Sequence, residues 1–167
     1  MPERKTIERA RKDKREGKAA TTQAGEFVRE EMDHIREGKH GARSTKQAIA
    51  IGLSKARRAG VKLAPPGKGE AKARTRRSAE RAVAAGTRGD RSVSRKRSRA
   101  VTDALKREGH AAASKPALAK QARSAARRRS AADRSAAAKK AARTKGASER
   151  SAAARKAART RARKRSS

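Results

Sequence analysis

Two kinds of side chain are numerous and patterned enough in this sequence to do chemistry, and both act through charge. Lysine and arginine number 50 against 16 aspartate and glutamate, a formal net charge of +34 over 167 residues. Arginine outnumbers lysine 31 to 19. Its planar guanidinium makes paired contacts to phosphate oxygens and enters narrow minor grooves. The cations come in clusters: Arg95, Lys96, Arg97 and Arg99; Arg127, Arg128 and Arg129; Lys139, Lys140 and Arg143; and Arg155, Lys156, Arg159, Arg161, Arg163, Lys164 and Arg165. Short Ala and Ser side chains between them let a backbone lie close to a duplex. A smaller group, Arg43, Lys46, Lys55, Arg57 and Arg58, surrounds the stretch 44–60. Such residues are expected to bind phosphates. Each neutralised phosphate releases counterions, so log K falls with log salt at a slope of about −0.9 per contact on duplex DNA.

The second pattern is acidic. Glu26, Glu30, Asp33 and Glu37 recur at i, i+4, i+7 and i+11, one face of a helix. The reading is either a solvated face, a dock for the basic tail, or a site for a basic protein partner. Like charges keep that face off a phosphate backbone.

Other chemistry lacks a constellation. His34, His40 and His110 are scattered, and no HxH, HExxH, GxSxG or GxxxxGK pattern occurs. Neither a catalytic site, a metal site nor a cofactor is expected. Cysteine is absent, so disulfides and thiolate ligands are excluded. Phe27 is the sole aromatic residue, too little for a platform that stacks single-stranded bases. Lys46 and Gln47 would sit at a helix N-terminus as in a helix-turn-helix, but the seven-residue loop before them exceeds the usual tight turn.

The elements that must position these groups are helical. Ser44 is placed to cap a helix over 45–59, with Gln47 completing a capping box and Gly60 supplying a left-handed end. Ile49, Gly52, Leu53 and Ala56 form its narrow apolar stripe. Gly52 is its weak point, costing about 1 kcal/mol relative to Ala in an exposed helix. A second helix is expected over 23–37, closed by Gly38, with Ala24, Val28, Met32 and Ile35 on one face and Phe27 at its edge. The two stripes pack as a hairpin over 20–63, which Val61 and Leu63 close. The same stripes would serve a homodimer.

Residues 1–19 read as a charged arm, and Pro65-Pro66-Gly67-Lys68-Gly69 as a linker within 64–69. Over 70–110 come basic helical segments: one at 70–85 ending at Gly86, and one at about 93–108 with the stripe Ala100, Val101, Ala104 and Leu105. Gly86–Ser92 echoes Gly38–Ser44, read either as a degenerate repeat of 38–60 or as chance similarity in a biased sequence. Residues 111–167 are low-complexity Ala/Arg/Lys/Ser, in which Ser130 and Ser148 are candidate caps. Leu, Ile, Val and Phe fall far below the roughly 20% under which high charge implies disorder. The expectation is therefore an all-α protein: a small helical hairpin, then a largely disordered basic region with helical segments that folds on binding.

Residues 25–63, GEFVREEMDHIREGKHGARSTKQAIAIGLSKARRAGVKL, resemble the defining segment of a family of small basic bacterial proteins of unknown function. Some of its members carry labels such as plasmid stabilisation or DNA-binding protein. The tail is similar in composition to those of histone-H1-like proteins, although theirs are Lys- and Pro-rich and this one is Arg-rich. Together these readings lead to a non-enzymatic, largely sequence-independent DNA binder, nucleoid-associated or serving plasmid maintenance. The alternatives are an RNA- or ribosome-associated protein, and an adaptor whose acidic face recruits a protein to nucleic acid. No segment is apolar enough for a membrane span or signal peptide, so the expected location is the cytoplasm, at the nucleoid.

Overall fold

The computed structural model describes residues 2–89, 94–144 and 146–165. The protein is all-α, with α1 (Arg4–Arg15), α2 (Ala20–Arg36), α3 (Thr45–Arg58), α4 (Ala73–Thr87), α5 (Arg95–Lys106), α6 (Lys115–Arg127), α7 (Ala131–Thr144) and α8 (Ala147–Arg165). A 3-10 turn, Ala111–Ala113, precedes α6. The chain divides into two compact units, 1–121 and 122–167.

In the first unit the 44–60 helix forms for the expected reasons. The Gln47 amide donates to Ser44 Oγ at 3.2 Å. The Gln47 side chain reaches one residue further back than a capping box requires and accepts from the Arg43 amide at 2.9 Å. Gly38 and Gly60 take φ of 74° and 87° just past α2 and α3, a left-handed conformation that glycine adopts without a Cβ penalty.

α3 packs on α2 through its smallest residues. Ala48, Gly52 and Ala56, spaced four apart, are all buried, and a Cβ added at Gly52 would lie 2.7 Å from Val28 Cα and 3.0 Å from the Phe27 carbonyl oxygen. Gly52 is therefore the residue that permits the close crossing. Nine of the twelve buried apolar residues are Ala, joined by Phe27, Met32 and Ile35. With so few large side chains, burial depends on bringing backbones close together.

The core has two parts. Ala10, Ala24, Phe27 and Ala56 pack with Ile7, Leu53, Val61 and Leu63, so α1 contributes as well as the hairpin. Phe27 is 1% exposed, at the centre rather than the edge. Met32, Ile35, Ala42 and Ala48 pack with Ala112, Ala113, Val28, Ile49 and Leu118.

The structure thus extends the expected hairpin at both ends. α1 lies on α2, and α4 packs against α3 with Ala79 and Ala82 buried. Gly86 does not end α4; it lies within it, and a Cβ there would collide with the Arg57 carbonyl. The 105–113 segment returns to the hairpin by four hydrogen bonds: Gly41 N to Leu105 O at 2.9 Å, Ala42 N to Gly109 O at 3.0 Å, Thr45 Oγ1 to Ala112 O at 2.7 Å, and Arg36 Nε to Ala113 O at 3.0 Å. A Cβ at Gly41 would strike the Glu108 carbonyl, so this return also relies on a glycine. The stripe on α5 is largely unused: no residue of α5 is buried, and Val101 is 53% exposed.

The expected repeat at Gly86–Ser92 falls partly outside the described residues. A different echo is on display. Arg36-Glu37-Gly38 ends α2 and Ser44 caps α3; Arg107-Glu108-Gly109 ends α5, and Ser114 Oγ accepts from Ala117 N at 3.3 Å to cap α6.

In the second unit α7 and α8 replace the expected disorder. Alanine dominates their sequences and is the strongest helix former, which outweighs like-charge crowding. Ser130 caps α7 as anticipated, accepting from Asp133 N at 3.0 Å. Ser148 lies inside α8 rather than ahead of it.

The packing at Gly52 sets a test whose sign is opposite to helix propensity. Gly52→Ala should destabilise the first unit by about 1–3 kcal/mol through overpacking. Gly25→Ala, on the same hairpin with nothing within 4 Å of the added Cβ, should stabilise it by up to about 1 kcal/mol. Thermal denaturation of the two variants decides it.

Candidate functional site

Expected phosphate-binding residues separate into two groups. Lys55 is drawn inward by buried acids. Its Nζ lies 2.6 Å from Glu31 Oε2 and 3.5 Å from Glu30 Oε1, and both carboxylates are almost wholly buried. Arg57 is 8% exposed; its Nε donates to Leu63 O at 3.2 Å and its Nη2 to Ala64 O at 3.0 Å. Burial lowers the Arg57 pKa from its ordinary value. Both residues hold the fold together and are not available to a ligand.

Arg43, Lys46 and Arg58 are exposed, as are Arg95, Lys96, Arg97 and Arg99 on α5. Arg127, Arg128 and Arg129, then Lys139, Lys140 and Arg143 on α7, and Arg155, Lys156, Arg159, Arg161 and Arg163 on α8 are all exposed. The side chains of Lys164 and Arg165 lie outside the described residues.

The acidic stripe is engaged by the chain itself. Glu26 Oε2 pairs with Arg9 Nε of α1 at 3.0 Å. Glu30 is 3% exposed and accepts the Glu3 backbone amide at 3.1 Å. Asp33 pairs with Arg36 at 3.4 Å and Glu37 with Lys39 at 2.9 Å. The face read as solvated or partner-binding is where the N-terminal helix docks, which places Glu26 and Glu30 out of a partner's reach. The apolar stripes proposed for a homodimer are likewise covered within the chain.

Sequence reasoning missed what lies at one end of this face. Glu31 and His34 stand on α2, and His40 stands on the following loop; one ligand atom from each lies within 4.8 Å of the others. His34 Nε2 is 2.9 Å from Glu3 Oε1. His40 Nδ1 is 3.1 Å from the Gly41 carbonyl oxygen, and its Nε2 is 3.4 Å from Glu31 Oε1. The two rings meet edge to face, with centroids 6.0 Å apart. The signal was present: Glu31-x-x-His34 puts both groups on one helix face, and the Gly38 turn brings His40 back.

Hydrogen bonds from His34 and then Lys39 hold the Glu3 carboxyl below its usual value. Lys39 is raised, chiefly by Glu37 with Glu3 second. At the far end of α1, Asp13 and then Glu16 raise Lys18.

Two outcomes follow. Lys55→Met removes the counter-charge of two buried carboxylates and should cost about 3 kcal/mol. Adding Glu31→Gln should recover part of it in urea denaturation. Second, a carboxyl lowered on folding contributes stability that is complete above its ordinary value near 4.5 and is lost as pH falls below that value. Protection of the α1 amides from hydrogen exchange, corrected for intrinsic rates, should therefore drop in that window, and more gently in Glu3→Gln.

No helix among the described residues is long and apolar enough to cross a membrane. No curated protein and no solved structure gives a significant match to the chain. Residues 4–68, which contain α1, α2, α3 and most of the stretch leading to α4, match the family of unknown function DUF6496.

Proposed function

We propose that this chain is a non-enzymatic, sequence-tolerant binder of duplex DNA, with the second unit as its phosphate-contacting arm. The observation that carries the reading is that unit's make-up. Residues 122–167 hold 17 Lys and Arg against two acidic residues, and every side chain described there is exposed except Ser124, which is half-buried. Helices that bury nothing have no core to serve. Their described side chains lie at the surface, where a polyanion would meet them.

The two acids support the same reading. Asp133 and Glu149 lie in the first turns of α7 and α8, where a carboxylate offsets the positive end of the helix dipole. Elsewhere in this unit the surface is cationic or neutral. On α8, Arg155, Lys156, Arg159 and Arg163 fall within about 100° of arc, with Arg161 on the other side of the axis. That suits a row of phosphate contacts along one strand, contacts that position a protein on a duplex without reading its sequence. Phosphates would also relieve the repulsion between neighbouring cations. Exposed α5 supplies a second cationic face on the first unit. A role in nucleoid organisation or plasmid maintenance is the setting this activity fits.

Lys55 and Arg57 serve as internal controls. Replacing Arg155, Lys156, Arg159 and Arg161 by Gln should reduce the slope of log K against log salt by up to about 0.9 for each lost contact. Lys55→Met and Arg57→Gln should leave the slope unchanged wherever the protein stays folded. Binding is measured by salt-titrated fluorescence anisotropy of the full chain on two duplexes of unrelated sequence and on a structured RNA. A slope insensitive to the α8 changes, or a strong preference for one duplex, contradicts the proposal. Preferential RNA binding reassigns the polyanion.

A further inference from the structure

We propose that Glu31, His34 and His40 form a binding site for one divalent first-row metal ion of the zinc class, which ties α2 to the loop that follows it. Two imidazole nitrogens and a carboxylate oxygen form a donor set that zinc accepts with one position left open. Their spacing, within 4.8 Å, closes by small ring rotations onto an ion that holds its ligands at about 2.0–2.2 Å.

Proton placement supplies an independent argument. The Gly41 carbonyl can only accept, so His40 Nδ1 donates to it. In the neutral imidazole, Nε2 then presents a lone pair, and it faces Glu31 Oε1 at 3.4 Å. Two acceptors opposed in this way call for a cation between them. In the neutral ring of His34, Nε2 likewise donates to the Glu3 carboxylate at 2.9 Å, and Nδ1 is then the nitrogen with the lone pair. Each ring is thus anchored through one nitrogen by an oxygen, with the other nitrogen free to ligate. Metal-binding histidines are oriented by the same kind of partner.

Glu31 itself is the second observation. It is 0% exposed, and neither carboxylate oxygen makes a hydrogen bond although both are sealed from solvent. Lys55 forms an ion pair with Oε2 at 2.6 Å, so Oε1 is the oxygen turned to the histidines. A buried carboxylate with an unfilled acceptor is costly unless a cation completes it. The neighbourhood suits one: Glu3, Glu30 and Glu31 stand against Lys39 and Lys55, a small surplus of negative charge in a strongly positive chain. The site also has mechanical reach. Gly41 and Ala42, next to His40, hold the carbonyls of Leu105 and Gly109, so fixing the loop would firm the docking of the 105–113 segment.

The test is a cobalt(II) titration of the tag-free full chain, followed by visible d–d absorption and displacement with zinc(II). One ion per chain is expected, with absorption that vanishes in His34→Gln and in His40→Gln. Glu3→Gln should weaken binding about tenfold, as loss of an orienting partner does, and His110→Gln should change nothing. Acidification should release the ion, because protons compete with it for the ligand nitrogens. Should the ligand variants fail to fold, zinc-dependent shifts of the His34 and His40 ring nitrogens in the unmodified protein, with His110 unmoved, carry the same test. No cobalt spectrum and no zinc-dependent shift in the unmodified protein would falsify the site. So would undiminished affinity in either histidine variant.

Discussion

The first unit depends on how closely α2 and α3 can approach. A chain with four Ile, five Val, four Leu and one Phe cannot fill a wide interior, and the contact area that large side chains would provide must come from proximity. Ala48, Gly52 and Ala56 give α3 a face with almost no relief, and α2 lies on it with Val28 against Gly52. Dispersion falls off steeply with separation, so near-backbone contact recovers part of what the missing leucines would supply. The same solution recurs where Gly41 meets the 108–109 carbonyls and where Gly86 meets α3. Small residues spread across four elements do the work of a conventional core.

Close approach has a consequence for charge. Bringing α2 against α1 and α3 places Glu30 and Glu31 inside, and their compensation comes from Lys55 and the Glu3 amide. Glu26, Glu30 and Glu31 become interior or inter-helix groups, while most of the cations remain outside. A high net charge spread through a domain destabilises it by self-repulsion. Here the negative charge is concentrated where it joins helices, at Arg9–Glu26 and Lys55–Glu31, and the surplus positive charge is carried by helices that pack little. That partition lets one chain be both folded and strongly cationic.

What was legible in the sequence follows from range. Local signals read correctly: Ser44 at the start of α3, Gly38 and Gly60 at helix ends, Ser130 as a cap, and the stripes that meet between α2 and α3. Each needs only neighbours within a few residues. What failed needed contacts beyond the residue's own helix. Gly52 read as a weak point because helix propensity is scored in solvent, whereas its value lies in Val28 of another helix. Glu30 read as solvated because nothing local announces that residues 3–15 will cover it. Arg57 read as a phosphate ligand, yet it serves the carbonyls of Leu63 and Ala64. Composition suggested disorder through its scarcity of large apolar residues, but alanine, which counts little towards a core, counts most towards a helix.

The carboxylate–histidine cluster shows why function is harder to read than fold in a chain of this kind. Its members are unremarkable one at a time: a glutamate in an acidic run, a histidine three residues later, another in a glycine-flanked loop. Their meaning comes from the Gly38 turn, which folds His40 back over α2, and from the depth at which Glu31 ends up. Each requirement is set by the α2–α3 crossing, because a looser crossing would let water and Lys55 satisfy both carboxylate oxygens. The close contact that substitutes for a core therefore also leaves one buried acceptor oxygen facing two imidazoles. In a molecule whose net charge is strongly positive, this is the place where the interior has chemistry left for a cation.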